Sequence, residues 1–504
     1  MVQTLVHPLA VATWLRASVT GSLVCDSRRI HAGDGFVAWP GAATDGRRFV
    51  EDALRAGAGA AIVEREGLEA YPYRDDPRVL AVPGLKGQAG AIASAFCHEP
   101  SGALDVIAIT GTNGKTSSAW WMAQLLTACA RPAAVVGTLG MGQPGAELVS
   151  TGMTTPDPVM LQHQLRAFVD AGLRAVAIEA SSIGIVEGRL NGTRVAVAVL
   201  TNFTQDHLEY HGSMDAYWSA KQRLFDWPGL KAAVVNADDP KGAGLIDRLA
   251  GRGLDLWSVA IDQPGVRLRA EHLAVTPEGV TFEIVECDRQ GQERHRHALT
   301  LPLVGRYNVH NLLGVVAAAR AIGVPMPAAL AACAALTPVP GRMEQAQPGT
   351  RDAPLVLVDY AHTPDALEKA LQALQPMARA RAGKLWVVVG CGGDRDPTKR
   401  PLMAAVAARE AARAVLTSDN PRSESPEAIL AQMVTGLPSR KAAHTEVDRA
   451  RAIAFAVKQA APADVILIAG KGHEDYQEIR GVKTPFSDIA QARMALAERA
   501  GGRA

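Results

Sequence analysis

The sequence predicts an α/β fold in three units, on three observations. At about 150 residues per domain, the 504 residues suggest three domains. From residue 100 onward, short β-branched runs alternate with Ala-rich helical stretches. The runs are continuously apolar, the pattern of parallel strands covered on both faces by helices. The expected architecture has a small N-terminal α/β domain over 1–99. A central, mostly parallel sheet with an antiparallel hairpin portion follows over 100–338, and a C-terminal Rossmann-like α/β domain over 339–504.

In the central unit, residues 106–110 (VIAIT) read as a buried strand, 115–128 as a helix and 133–137 as the next strand. Further strands are expected at 175–179, 195–200 and 232–236. Residues 265–304 alternate apolar and polar, with turn signals at Pro277-Glu278-Gly279 and Gln290-Gly291, which predicts antiparallel hairpins. The Pro/Gly cluster from Thr337 to Gly341 reads as a linker. A second α/β series follows it, with strands at 355–358, 385–389, 414–417 and 465–468. Residues 1–97 form the smaller unit, and His98-Glu99-Pro100-Ser101-Gly102 is the break after it. There is no internal repeat and no low-complexity tract.

Composition excludes several classes of function. Lysine plus arginine number 52 against 51 acids, a net charge of +1, so no electrostatic reason exists to expect a nucleic-acid or anionic-membrane partner. Apolar residues at 48% and charged residues at 20% exclude general disorder. Six cysteines with no CxxC pair argue against a zinc ribbon and a disulfide framework. The N-terminal stretch lacks a basic region before its apolar residues, and no run approaches the ~20 apolar residues of a membrane span. A cytoplasmic protein is expected, as a monomer.

Each apolar strand of the two larger units ends in a polar, Gly-rich or acidic cluster. In open α/β sheets, ligands bind outside the carboxyl ends of the strands, so the function is expected where these clusters meet. The first is Gly111-Thr112-Asn113-Gly114-Lys115-Thr116-Ser117, between a strand and a helix. Its glycines let backbone N–H groups approach phosphate, and the helix N-terminus adds partial positive charge. Lys115 can reach the β/γ-phosphates and Thr116 can ligate Mg²⁺. Ile109 stands where the GxxxxGK[ST] pattern has its first glycine. The central sheet is therefore expected to be of P-loop type.

The second cluster, Thr201 to Gly212 (TNFTQDHLEYHG), supplies His, Asn and acid side chains just after a strand, and Glu179 ends a neighbouring strand. A nucleoside triphosphate with Mg²⁺ needs such groups. Lys221, ten residues beyond His211 in a helical pattern, reads from local sequence as a solvent-facing lysine. In the C-terminal unit, Gly392-Gly393-Asp394-Arg395-Asp396, Asp419-Asn420-Pro421-Arg422 and Gly470-Lys471-Gly472-His473-Glu474 follow three strands. Arginines that fork onto carboxylates beside acids that bind ammonium make a receptor for an amino acid. A set of structural salt bridges has the same composition.

In order and spacing these motifs resemble the Mur ligase family, over nearly the whole chain from Asp26-Ser27-Arg28 to GKGHE. The resemblance rests on GTNGKTS, TNFTQDHLEYHG, Gly305 to Asn311 (GRYNVHN), Val339 to Glu344 (VPGRME) and Val358 to His362 (VDYAH). DNPR resembles the signature of family members that add meso-diaminopimelate and not lysine. The resemblance implies an ATP-dependent amide ligase of peptidoglycan precursor synthesis, acting on a UDP-muramoyl dipeptide through an acyl phosphate. It assigns the muropeptide to 1–99, ATP to 100–338 and the amino acid to 339–504. Gly111 to Ser117 would hold ATP, with Asn311 at the adenine. Thr116, Glu179 and His207 would form the magnesium site. Lys221 would be carbamylated by CO₂ or bicarbonate and serve as a further ligand, and Lys115, Glu179, His207 and Lys221 would carry catalysis. Ser27, Thr154, Thr155, Ser181, Glu187 and Arg189 would contact the muropeptide. Arg395, Asp419, Asn420, Pro421, Arg422, Gly470 and Glu474 would form the diaminopimelate pocket. Two positions depart from the family's pattern: Ile183 stands where His is usual, and Glu187 where Gln is. Alternatives are a nucleotide-dependent switch ATPase, a lysine-adding or tripeptide-adding relative, or a folylpolyglutamate synthase.

Overall fold

The computed structural model describes residues 3–41, 44–276, 279–346 and 352–501, apart from the side chain of Arg440. Three main sheets divide the described residues. The N-terminal sheet has five parallel strands, in the spatial order Gln3–Thr4, Val79–Val82, Ala60–Glu64, Gly35–Ala38, Leu23–Val24. The central sheet has ten strands. Its parallel heart runs Asp255–Ile261, Ala232–Asn236, Val197–Leu200, Asp105–Thr110, Ala175–Glu179, Ala133–Gly137. The C-terminal sheet has six strands, with Leu355–Asp359, Val465–Ala469, Leu385–Cys391 and Arg413–Ser418 at its parallel centre.

The continuous apolar runs have a direct physical cause. Successive side chains on a strand point to opposite faces, and here both faces are packed. Ile107 and Ile109 enter one core of the central unit, while Val106 and Ala108 enter the other. Val387 and Val389 face one C-terminal core, and Trp386 and Val388 the other. Ile62 and Val63 divide the same way in the N-terminal unit. Neither face can then be polar.

Leu268–Thr276, Gly279–Cys287 and Glu293–Leu301 form the antiparallel portion. It is an extension of the main sheet, because Leu268–Thr276 also pairs in parallel with Asp255–Ile261. The turn expected at Pro277 and Glu278 lies outside the described residues, whereas the one at Gln290-Gly291 forms, with Gly291 N–H donating to Asp288 O at 3.0 Å. The linker is packed: Trp121 Nε1 donates to Thr337 O at 3.2 Å. Gly341 sits at φ +65°, where a Cβ would meet the backbone nitrogen of His473 at 2.0 Å.

Register places the functional loops. Thr110 lies opposite Leu200, and Ile109 opposite Glu179. The loops that follow these strands therefore open at one edge of the central sheet. In the C-terminal sheet Cys391 lies opposite Ser418 and Asp359 opposite Ala469, so the GGDRD, DNPR, DYAH and GKGHE segments share an edge as well.

Candidate active site

The phosphate loop begins where Asp105–Thr110 ends and closes into the helix Lys115–Ala128. Two glycines are required by space. A Cβ on Gly111 would meet Thr201 Oγ1 at 1.8 Å, and one on Gly114, at φ +86°, would meet Asn311 Oδ1 at 2.3 Å. The neighbouring TNFT segment pins the loop. Asn113 N–H donates to Asn202 Oδ1 at 2.9 Å, and Asn202 Nδ2 and Thr201 Oγ1 both donate to Asn113 O, at 3.0 and 2.6 Å. Thr201 and Asn202 are thus framing residues that the motif alone did not assign. Their signal was position, at the end of the strand adjacent to the loop.

Two lysines converge on one carbonyl. Lys115 Nζ donates to Gly111 O at 2.9 Å and Thr112 O at 2.8 Å, and Lys221 Nζ donates to Gly111 O at 2.8 Å. Lys221 is 1% exposed, which overturns the solvent-facing reading of its local sequence. The helix Met214–Gln222 turns it inward, with its ammonium 4.4 Å from the Tyr217 ring centroid. Burial, and then the charge of Lys115, push the Lys221 amine well below its ordinary pKa, against the pull of Asp206. Burial also lowers Lys115, with Glu179 and Asp206 opposing.

Glu179 is buried at its strand end. Its Oε2 accepts from Thr116 Oγ1 at 2.9 Å, and its Oε1 accepts from Thr138 N–H at 2.8 Å. This hydroxyl and carboxylate are hard oxygen donors, and they suit Mg²⁺, which keeps waters and phosphate oxygens in the rest of its shell. His207 caps a short helix at φ +53°, with Nε2 3.5 Å from Asp206 Oδ2. Burial lowers its pKa, Asp206 opposing, which favours the neutral imidazole a ligand must be. Asn311 is buried and donates from Nδ2 to Asn308 Oδ1 at 3.2 Å.

The expected muropeptide residues fall in two places. Thr155 Oγ1 lies 2.8 Å from Glu179 O and 2.9 Å from Ser181 Oγ, while Arg189 Nη1 donates to Thr155 O at 3.0 Å. Thr154 Oγ1 lies 3.1 Å from Thr138 Oγ1, so this group adjoins Glu179. Ser27 sits apart, in the N-terminal unit, in a short 3₁₀ turn capped by Asp26. Glu187 bridges units: its carboxylate pairs with Lys86 Nζ at 2.7 Å and accepts from Tyr210 OH at 2.5 Å. Ile183 is half-buried on the helix Ser182–Val186.

The second cluster lies at the carboxyl edge of the C-terminal sheet. Asn420 Nδ2 donates to Glu474 Oε2 at 2.8 Å, and Lys471 Nζ donates to Asn420 Oδ1 at 3.0 Å and to Glu474 Oε2 at 3.1 Å. Gly470 must be glycine, because at φ +119° its Cβ would meet Asp419 Oδ2 at 2.5 Å. Pro421 is buried, and Arg422, half-buried at φ +51°, donates from Nη1 to Gly393 O at 2.7 Å. Arg395 is exposed at the rim. Arg449 and Asp488, both fully buried, form an ion pair at 2.7 Å, and Arg449 also donates to Ser418 O and Ala469 O. This ties together the ends of the two strands that carry DNPR and GKGHE. Nothing in the local pattern marked Arg449 as internal.

Arg342 links the two clusters. Its Nη2 donates to Thr116 Oγ1 at 3.3 Å, and its guanidinium carbon lies 4.4 Å from the Tyr360 ring centroid. Tyr360 in turn packs against His362 and His473, with ring centroids at 4.7 and 5.5 Å. Asn113 Nδ2 also donates to Asp365 Oδ2 across the crevice at 3.4 Å. Arg342 and Lys471 belong to segments noticed in the sequence, yet only their neighbours show what each does.

The fold and site define a P-loop-type α/β protein in which Arg342 links the loop to a cluster of charged side chains at the edge of the C-terminal sheet. Three family models match: the Mur ligase family, catalytic domain, at residues 21–94; the Mur ligase middle domain at 109–319; and the Mur ligase, glutamate ligase domain at 341–472. The chain is 56% identical over 495 residues, 97% of each chain, to the UDP-N-acetylmuramoyl-L-alanyl-D-glutamate–2,6-diaminopimelate ligase of Acidovorax sp. (strain JS42). To the enzyme of the same name from Ralstonia nicotianae it is 47% identical, over 97% of this chain and 96% of that one. A solved structure of a ligase so named aligns with TM-score 0.65 and 36% identity, covering 95% of each chain. A MurF ligase from Thermotoga maritima in complex with ADP shares the fold at TM-score 0.64 and 19% identity, covering 96% of this chain and 99% of that one. The chain belongs to the Mur ligase family, a family of ATP-dependent ligases. Among the described residues, no helix is long and apolar enough to cross a membrane.

Proposed function

We propose that this chain uses ATP to join meso-diaminopimelate to the D-glutamyl γ-carboxylate of UDP-N-acetylmuramoyl-L-alanyl-D-glutamate. The names of its 45–56% identical relatives support this substrate pair. The carrying observation is Arg342, which touches Thr116 of the phosphate loop while packed on Tyr360 beside the Glu474 pocket. Activation and coupling can then share one crevice.

A carboxylate does not react with an amine at neutral pH, because its oxygen is a poor leaving group. Transfer of the γ-phosphoryl to that oxygen makes an acyl phosphate, from which phosphate leaves readily. Two anions must approach in this step, and Lys115 and the N-terminus of the helix Lys115–Ala128 offset their repulsion. Mg²⁺, held by Thr116 and Glu179 with His207 nearby, supplies further charge neutralisation when bound. Lys221 is the residue that takes up CO₂: its neutral amine attacks the carbon, an N–C bond forms and a proton leaves, turning a cation into an anionic ligand. Asn311 borders the loop and is assigned to the adenine.

The muropeptide lies along the N-terminal unit, 1–99, with Ser27, and reaches Thr154, Thr155, Ser181, Glu187 and Arg189 beside Glu179. ATP belongs to 100–338 and the amino acid to 339–504, with a hinge at the linker. In the C-terminal pocket Arg422 and Arg395 serve carboxylates, Asp419 and Glu474 serve ammonium, and Asn420, Pro421 and Gly470 shape the walls. The test is phosphate release with ATP, Mg²⁺, bicarbonate and the UDP-dipeptide, offering diaminopimelate, lysine or D-alanyl-D-alanine. Release only with the UDP-dipeptide and diaminopimelate supports the assignment. Release without either marks a switch ATPase instead.

A further inference from the structure

The GKGHE segment carries a lysine that the proposed mechanism does not use. Lys471 is 0% exposed, and burying an ammonium is costly unless it is paired. Its partners are Asn420 Oδ1 and Glu474 Oε2, with the Tyr476 ring centroid 5.4 Å from its ammonium. Asn420 Oδ1 also accepts from Glu478 N–H at 3.0 Å, so the amide is oriented with its nitrogen towards Glu474. Among the described residues, both protein donors to Glu474 use Oε2, which leaves Oε1 for a ligand.

We infer that Lys471 is a positioning residue for amine recognition: it pairs with the Glu474 carboxylate and turns it, through a Lys471–Asn420–Glu474 triangle, so that one oxygen meets the substrate ammonium. The inference rests on the amino-acid pocket of the proposed function. The groups acting on Glu474 are Lys471 on its own loop, Asp419 at the adjoining strand end, Tyr360 from the DYAH segment and Arg449 from the helix Arg449–Gln459. Burial, and then the charge of Asp419, push the Glu474 carboxyl above its ordinary value, and Lys471 opposes them. Without Lys471 the carboxyl protonates at higher pH and loses its grip on a cation as pH falls.

The experiment measures the KM for diaminopimelate between pH 6 and 8.5, with ATP and UDP-dipeptide saturating. Lys471→Gln should raise it about tenfold or more at neutral pH, increasingly towards pH 6, with the KM for ATP unchanged. Lys471→Arg keeps the charge, so its profile should run parallel to the wild type; it also decides the matter if the Gln variant fails to fold. In a cycle with Glu474→Gln, the second substitution should add little. Additive effects, a pH-independent rise in Lys471→Gln, or a new pH slope in Lys471→Arg would each overturn the inference. If the wild type rejects diaminopimelate but couples another amino acid, the substrate reading fails, and the same cycle on that acceptor still tests Lys471.

Discussion

Two lysines are shut away from solvent on the two sides of the crevice, and their surroundings differ. Lys221, in the central unit, donates to the Gly111 carbonyl and shares it with a second cation, Lys115. Lys471, in the C-terminal unit, pairs with the Glu474 carboxylate and an amide oxygen. Burial favours the neutral amine at Lys221. What separates them is the neighbour: a like charge beside Lys221, an opposite one beside Lys471. On the proposed function, the first setting suits an amine that reacts with CO₂, and the second a lysine that positions a carboxylate.

The largest expected effect breaks the central half of this comparison. Lys115→Ala should lower kcat by about 10³-fold, because the proposed phosphoryl transfer loses the cation of the loop. It also removes a cation that depresses Lys221. With ¹³C-bicarbonate at fixed pH, the carbamate NMR signal of the wild type should therefore weaken in Lys115→Ala and vanish in Lys221→Arg. An undiminished signal in Lys115→Ala would show that burial alone sets the Lys221 amine.

The C-terminal half is sharpened by Arg422→Ala. On the proposed function, lysine lacks the distal carboxylate of diaminopimelate and would leave Arg422 without that partner, a mismatch for which a polar site discriminates by roughly 10⁴. The variant should lose most of that preference, measured as the ratio of kcat/KM for the two acceptors. A preserved ratio would remove Arg422 from the pocket.

A smaller effect tests whether the same rule extends to a buried arginine. Arg400 is 1% exposed and is paired with Glu424, whose carboxyl it holds down at about 2. A depressed carboxyl contributes stability above its unfolded value, near 4.5, and loses it as pH falls towards about 2. Glu424→Gln should lower Tm at pH 7, and the gap from the wild type should narrow below pH 4.5 and close near pH 2. The smallest effect concerns the Lys86–Glu187 pair, whose side chains are 50% and 31% exposed. Glu187→Gln should cost about 0–1 kcal/mol in unfolding free energy. A larger loss would mean that this contact fastens the N-terminal unit to the central one.

The α/β class, the strand positions and the phosphate loop were legible in the chain because they depend on local facts. A strand packed on both faces must be apolar throughout, and a loop that closes on phosphate must have glycine where a Cβ would strike Thr201 or Asn311. DNPR and GKGHE were legible as clusters of charge at strand ends. Lys221 was not legible as buried, since a helix of mixed residues does not reveal which side faces a neighbouring loop. Lys471, Arg342 and Arg449 share that limit. Their roles depend on partners between 3 and 226 residues away in sequence. The order of residues determined which chemistry was available. Only the tertiary structure, by excluding water and choosing each charge's neighbour, decided which lysine lies beside a like charge, which beside an opposite one, and which side chains act as struts.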